Sequence, residues 1–597
     1  MKQLIRSAAF LLLAAILFSA CTSVPNHARY IPADAIVVVG VNTKEMSKEI
    51  AWSAITGSKI LDELSKENEK QAAKDLDKAG IDWMSTAYAY VKPQQGAEGN
   101  TIVAGVLPLK SKTEWEAFAK KQFPDAAFRQ NSGRTDAMFS EQLYAGWNDH
   151  VLILMSVLPG QKTADMANMV AAANAAAETD GDSTTVADTM AVDAAGPATS
   201  VVPGWHRPVL SAATLAVMMD SAFAVTKERS ILQDKRFKKL ETQGHDITMW
   251  VNYEQMMDRY MGNAMTKTMG LSLSNTLWKG SAMASGIDFR KGKVTADMLY
   301  YTSEEMKEIS RELSSKDADK EMIDRLPAQN MNMMLAWHLS PKGSKAMLEK
   351  AGFLGFINLG LMSVGLSADD IFDTFTGDMA MSVCNFGTNT TASATDSAVH
   401  TEYTTHADYV YAMKIAKKEN LAKLLNLAVS KELLKPAGTN MYQMAGESAN
   451  TFVLANDDNY LVLANKAEAA QAYLQGRNKG AKLPEEAQKA LYGHPMGGYF
   501  DITTFTKTIM PPMGSNPADA ELAAAAKKLL TDINFYGGAY KGDAFESHAV
   551  ANFTNKEENS LLQLLQLAVK AKNLAAQHHA AEMATAPATA DTTVTVQ

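Results

Sequence analysis

The chain has 597 residues, of which 47% are hydrophobic and 21% charged, with a net charge of −9 and a mean hydropathy of −0.15. That length is enough for several domains with sizeable cores. An acidic chain without a basic stripe excludes nucleic acid as a partner, and two cysteines exclude a disulfide framework.

The chain opens with MKQLIRSAAFLLLAAILFSAC. Lys2 and Arg6 form a short basic flank before an apolar run from Ala8 to Ala20. At about 1.5 Å of helix per residue, that run falls short of a hydrocarbon core of about 30 Å. It reads as a secretory signal rather than a membrane span. Leu17-Phe18-Ser19-Ala20-Cys21 resembles the bacterial lipobox, with Phe18 standing where a leucine is usual. The expectation is cleavage between Ala20 and Cys21, and a lipid thioether on Cys21. The competing reading is a plain signal peptide with a chance cysteine beside it. Three acyl chains on Cys21 would anchor the protein stably, since each buried CH₂ contributes about 0.8 kcal/mol. Removing residues 1–20 would leave 577 residues with a net charge of −11. The second cysteine, Cys384, would have no partner and reads as a small buried hydrophobe in a strand.

Residues 21–29 read as a tether, and the body of the chain follows as two related halves. GWNDHVLILM resembles NDDNYLVLAN, with Asp149 on Asp458 and Leu152, Ile153 and Leu154 on Leu461, Val462 and Leu463, an offset of 309. GHDITMWVNY resembles GHPMGGYFDI at an offset of 249, placing Gly244-His245 on Gly493-His494. FRKGKV resembles AYKGDA at an offset of 250, with Lys291-Gly292 on Lys541-Gly542. AIVVVGVNTKEM pairs similarly with MNMMLAWHLSPKG, setting Asn42 opposite His338. The change in offset requires about 60 additional residues in the first half between Leu154 and Gly244. That interval holds an Ala-, Thr-, Ser- and Asp-rich stretch that cannot bury enough apolar area to order itself.

The expected fold class is α+β. It comprises two similar duplicated domains, each a mainly antiparallel sheet covered by helices, with low-complexity loop insertions. The boundaries are a signal peptide over 1–20, a first domain over 30–320 with a flexible insertion at about 160–205, and a second over 325–570 with one at about 387–406. A disordered tail is expected over 571–597. Met331, Met333 and Met334 could bind Cu(I) through soft thioethers, but their alternation in NMNMMLAW reads as a strand packing into a core.

The lipobox, followed by YIPADAIVVVGVNTKEM from Tyr30 to Met46, resembles a Bacteroidetes lipoprotein family, domain of unknown function 4836. The resemblance covers most of the chain, with the two insertions as departures. It implies an envelope lipoprotein and supplies no catalytic residues. Thr22 replaces the Asp of an inner-membrane retention signal, and the tether has no Asp or Glu before Asp34. Together these favour the outer membrane, facing the periplasm, with cell-surface display as the alternative.

H-E-x-x-H, G-x-S-x-G, S-x-x-K, P-loop and G-x-G-x-x-G patterns are all missing from the sequence. No catalytic residue, metal ligand or cofactor is therefore assigned. The best repeated polar feature is His245 and His494, which could be a pseudo-symmetric pair of ligands or acid–base groups. The favoured reading is a glycine that stops a helix, followed by a polar residue entering a strand. His578-His579 could catch a metal weakly, and Asp149-His150 reads as a turn. Trp147, Trp205, Trp250 and Trp337 could line a glycan or apolar-ligand groove, although tryptophans at domain edges are more often partly buried. The expected function is a non-enzymatic binding or scaffolding module, attached to the membrane by its lipid, with an envelope protein or a glycan as ligand. The alternatives are a glycan-directed hydrolase with dispersed carboxylates and a lipid carrier or chaperone.

Overall fold

The computed structural model describes residues 24–50, 78–93, 100–158, 212–260, 277–445, 452–504 and 528–585, apart from 132, 141–142 and 396–397, together with residues 75, 521, 524 and 525. Ala20, Cys21, Trp205 and the expected insertion at 160–205 lie outside the described residues. Among the described residues, the strand pairs within each unit are antiparallel, and the fold is α+β. Contacts divide the chain into two compact units. The first takes the described residues up to Lys44, those from Asp75 to Gly244, and Met249–Val251; the second takes Glu45–Ile50, His245–Thr248 and everything from Asn252 onward.

In the first unit, β1 (Val37–Asn42), β2 (Thr86–Pro93) and β3 (Thr101–Pro108) pair in sequence. The sheet then runs from β3 to β7 (Val151–Leu158), β6 (Leu143–Trp147), β5 (Arg134–Ser140) and β4 (Phe128–Asn131). The helix Lys112–Gln122 covers this ladder. Ser111 caps its first turn by accepting the Glu114 N–H, while Lys120 and Lys121 sit favourably in its last turn. Trp115 and Ala119, four residues apart, share its buried face. Trp115 meets the edge of Trp147 at 6.1 Å between ring centroids, and the Trp147 indole donates to Glu116 Oε1 at 3.1 Å. Large apolar area and a satisfied polar tip are thus buried together.

The residues of β8 (Ile247–Asn252) divide between the two units. The ladder of the second unit begins with β9 (Ala282–Arg290), β10 (Lys293–Tyr301), β20 (Ala544–Phe553), β19 (Leu530–Lys541) and β18 (Met496–Asp501). It continues through β11 (Met331–His338), β12 (Phe375–Thr395), β13 (Ala398–Ile415) and β17 (Tyr460–Ala464). It ends with β16 (Val453–Asn456), β15 (Met441–Met444) and β14 (Leu434–Gly438). Met331 and Met334 are buried in its main core with Met322, Ile323, Val462 and Tyr473. Cys384 is buried in β12, where burial pushes its thiol up to about 11.

Two segments differ from expectation. Residues 387–395 and 398–406 are paired backbone, with Gly387 opposite His406 and the ladder running to Thr395 opposite Ala398. Low-complexity composition suggested a loop, but threonine and valine are β-branched and fit a pleated surface. The helix Ser560–Thr585 continues well past residue 571, where a disordered tail was expected. Its repeated alanines carry the best intrinsic helix propensity. Among the described residues, no helix is long and apolar enough to cross a membrane.

Trp147 is fully buried between helix and sheet. Trp147→Ala should cost about 3–5 kcal/mol in urea unfolding, the range for a core aromatic reduced to alanine. A loss below about 1 kcal/mol would mean that this contact does not hold the first unit together.

Candidate functional site

His245 follows Gly244, whose φ of 75° ends the chain turn after the helix Lys235–Glu241. Its ring is buried against β9, where Gly286 leaves space for it. A Cβ at position 286 would lie 2.1–2.3 Å from ring atoms, so only glycine fits. Two residues along the same strand face, Asp288 places Oδ2 2.9 Å from His245 Nδ1. The other carboxylate oxygen, Oδ1, accepts the Asp246 N–H at 3.2 Å and lies 3.1 Å from Arg290 Nη2. Asp246 Oδ2 in turn accepts the Phe289 N–H at 2.7 Å and lies 3.3 Å from Arg290 Nη1. The guanidinium therefore spans two buried carboxylates.

The ladder register extends this cluster. Gly286 pairs with Asp297 on β10, and Asp297 pairs with His548 on β20. His548 Nδ1 is hydrogen-bonded to Asp297 Oδ1. His548 stands opposite Tyr536 on β19, and their rings stack at 5.2 Å. The other neighbour of Tyr536 is His494, stacked at 4.5 Å, whose Nε2 lies 3.1 Å from the Lys489 carbonyl oxygen. His245 and His494 thus stand at opposite ends of one row of polar and aromatic side chains and do not face each other. Single ligand atoms of His245, Asp288 and Asp297 lie within 4.8 Å of one another. These are the residues that could hold a metal. The sequence reading placed no second ligand near His245, because its partners arrive through strand register rather than local spacing. The available signal was Asp288 itself, a carboxylate in the otherwise uncharged stretch AMASGIDF.

The bond to Asp288 raises the His245 pKa, against the opposing effect of burial. Burial acts to raise the pKa of Asp288, but the His245 bond and the Arg290 charge outweigh it and hold the carboxyl low. Such a pair orients and charges an imidazole.

A second buried pair is already saturated. His338 Nδ1 lies 2.9 Å from Asp378 Oδ1, while Lys316 at 2.9 Å and Thr376 at 2.7 Å take Oδ2. Burial opposes ionisation of Asp378, yet these partners hold it at about 2. In the first unit, the Tyr88 hydroxyl donates to Glu241 at 2.5 Å, and Arg134 forks onto Asp136 at 2.7 and 2.9 Å. These buried networks bind their own chain.

Trp147 and Trp250 are buried, which removes them from any ligand groove; Trp337 is half-buried beside Tyr411. The turn at Asp149-His150 is closed by Asn148, whose Oδ1 accepts the N–H groups of His150 and Val151. His578 and His579 fall within the helix Ser560–Thr585. A different surface stands out. Between Lys350 and Asp369 the sequence has no charged residue, and the helix Leu354–Met362 leaves Phe356 56%, Leu359 71% and Met362 71% exposed.

No protein-family model matches the chain, and no curated protein matches it. Among solved structures, the chain is similar to crystal form IV of TP0453 at 10% identity and a TM-score of 0.23, over 47% of this chain and 81% of that one. Crystal form III of TP0453 gives 10% identity and a TM-score of 0.23, over 49% of this chain and 88% of that one.

The two shifts define a pH window. The His245 contribution to stability is complete below its ordinary value of 6.5 and is lost as pH rises through its raised folded value. The Asp288 contribution is present above its ordinary 3.8 and is lost as pH falls through its lowered folded value. Asp288→Asn should therefore destabilise most between about pH 4 and 6.5, with a difference from the native protein that narrows at alkaline pH. Urea unfolding at pH values on both sides of that window measures it, and a pH-independent difference would remove charge from the account of this pair.

Proposed function

We propose that the chain is a lipid-anchored lipoprotein of the bacterial envelope, a non-enzymatic binding or scaffolding module built from two duplicated α+β halves. The observation that carries the binding reading is the exposed uncharged helix with Phe356, Leu359 and Met362. A contiguous apolar face of this kind marks an interaction site. Its occupant in this reading is a partner protein of the envelope. Helices that lie on lipid surfaces carry unpaired basic residues along their flanks. Here Lys345, Lys417 and Lys423 are each committed to a carboxylate, on Asp369, Asp373 and Asp370. Flexible Met362 suits an adaptable protein contact.

Strand order supports the duplication. The first series pairs as β1, β2, β3, β7, β6, β5, β4, and the second as β11, β12, β13, β17, β16, β15, β14. Local chemistry repeats as well. Asn148 Oδ1 accepts the N–H groups of residues 150 and 151, and Asp457 Oδ1 those of residues 459 and 460, at the offset of 309 found between the sequences. Gly292 and Gly542 have φ of 64° and 62° in equivalent hairpins. The lipobox at Leu17–Cys21 and the YIPADA opening support membership of the domain of unknown function 4836 family and an outer-membrane, periplasm-facing location.

Cys21→Ala should move the protein from the membrane fraction to the soluble envelope fraction, and retention through a high-salt wash would remove the lipid anchor from the reading. Intact cells should protect the protein from added protease until the outer membrane is opened. A photocrosslinker at Leu359 should yield one discrete protein adduct in living cells, lost in Phe356→Ser. Adducts to lipid alone, or an adduct unchanged by Phe356→Ser, would overturn the protein-partner assignment.

A further inference from the structure

We propose that His245, Asp288 and Asp297 form a binding site for a divalent first-row transition-metal ion of the Mn²⁺ or Zn²⁺ type, with His548 holding Asp297 in place. The inference is independent of the partner-binding face on the helix Leu354–Met362.

The donor set selects the ion class. One imidazole nitrogen and two carboxylate oxygens suit Mn²⁺, Fe²⁺ or Zn²⁺, whereas Ca²⁺ takes six to eight oxygens. The three donor atoms lie within 4.8 Å of one another. Metal–donor bonds of about 2.0–2.2 Å would replace the 2.9 Å hydrogen bond between His245 and Asp288 and draw Asp297 inward. Asp297 can supply most of that movement, because its side chain is 50% exposed. The exposed carboxylate also gives an ion a route to the two buried ligands.

Three features go beyond a chance meeting of polar groups. The ligands stand on separate backbone segments held in register: His245 at a helix-to-strand corner, Asp288 on β9 and Asp297 on β10. Gly286 opens the sheet surface under the His245 ring, where any Cβ would collide with it. Each carboxylate also has an outer partner. Asp288 Oδ1 is held by Arg290 and the Asp246 N–H, which leaves Oδ2 facing His245, and Asp297 Oδ1 is held by His548. Outer partners of this kind orient ligands in metal sites, and their loss typically costs about 10–100-fold in affinity. With three protein ligands, the remaining coordination positions fall to water on the exposed Asp297 side.

The same ion would fasten the long-range pairing. Asp297 and His548 face each other across β10 and β20, which come from distant parts of the chain. An ion on Asp297 would tie this seam to the helix-to-strand corner that carries His245, so binding should stabilise the second unit.

The test uses the full chain in detergent, stripped with a chelator and titrated with Zn²⁺ and with Mn²⁺ by calorimetry. The expected result is one bound equivalent and a raised Tm. Asp297→Asn and His548→Ala change partly exposed side chains, and circular dichroism checks that both variants fold. Each should lose at least tenfold in affinity, while His494→Ala and the double variant His578→Ala/His579→Ala should bind as the native chain does. Absence of stoichiometric binding, affinity unchanged in Asp297→Asn, or binding abolished in the His578/His579 double variant would each overturn the site.

Discussion

The antiparallel pairing of β10 with β20 is the constraint on which the second unit depends. It joins Lys293–Tyr301 to Ala544–Phe553 over a continuous nine-residue register, from Lys293 opposite Asn552 to Tyr301 opposite Ala544. Without it, the β9–β10 hairpin would have no hydrogen-bonded neighbour on its β10 side, and its edge would be open to aggregation. Closing so long a loop costs entropy that grows only logarithmically with length, so a full ladder can meet it. The register also decides chemistry. A slip of one residue would turn Asp297 and His548 away from their present faces and dissolve the polar row that crosses the sheet.

Charge and apolarity are kept apart in the second unit. Two of its buried carboxylates show this plainly: Asp288 is bonded to His245 and Arg290, and Asp378 to His338, Lys316 and Thr376. A buried pair of this type contributes little net stability over an apolar replacement, but losing one partner is costly because the other charge stays buried. Such networks specify geometry more than they add stability. The helix Leu354–Met362 presents the opposite condition, apolar side chains exposed within an uncharged run from 351 to 368. Polar groups therefore fix the interior, and an apolar face is offered outward.

Legibility in the sequence followed the range of the interactions involved. Alternation and turn chemistry revealed the strands around Leu152–Leu154 and Leu461–Leu463, because an Asx turn and a buried apolar run are local features. The α+β class followed from the same signals. Composition misled at residues 387–406 and after residue 571. There low-complexity composition concealed β-branched pairing in one case and alanine-driven helix in the other. One of the three candidate ligands was visible, at the glycine-histidine step 244–245. Asp288 and Asp297 were not, since a ligand set assembled by strand register has no fixed spacing along the chain. The exposed helix could have been found from its missing charges alone.

The two glycine-histidine steps place unlike side chains on like backbone. At the offset of 250 that aligns Lys291-Gly292 with Lys541-Gly542, Gly286 aligns with Tyr536 and Asp288 with Gly538. His245 therefore rests on a glycine beside a carboxylate, while His494 rests on an aromatic ring beside a glycine. The backbone environment is alike, with φ of 75° at Gly244 and 77° at Gly493, yet two side-chain exchanges reverse the chemistry. A carboxylate bond orients the first imidazole and raises its pKa. Stacking makes the second a packing element, its Nε2 satisfied by the Lys489 carbonyl. If the halves arose by copying, the ancestral corner needed only the glycine that ends the helix and a polar residue entering the strand. Polar function could then concentrate in one copy, because the other kept the same backbone by filling the space above its sheet with a tyrosine.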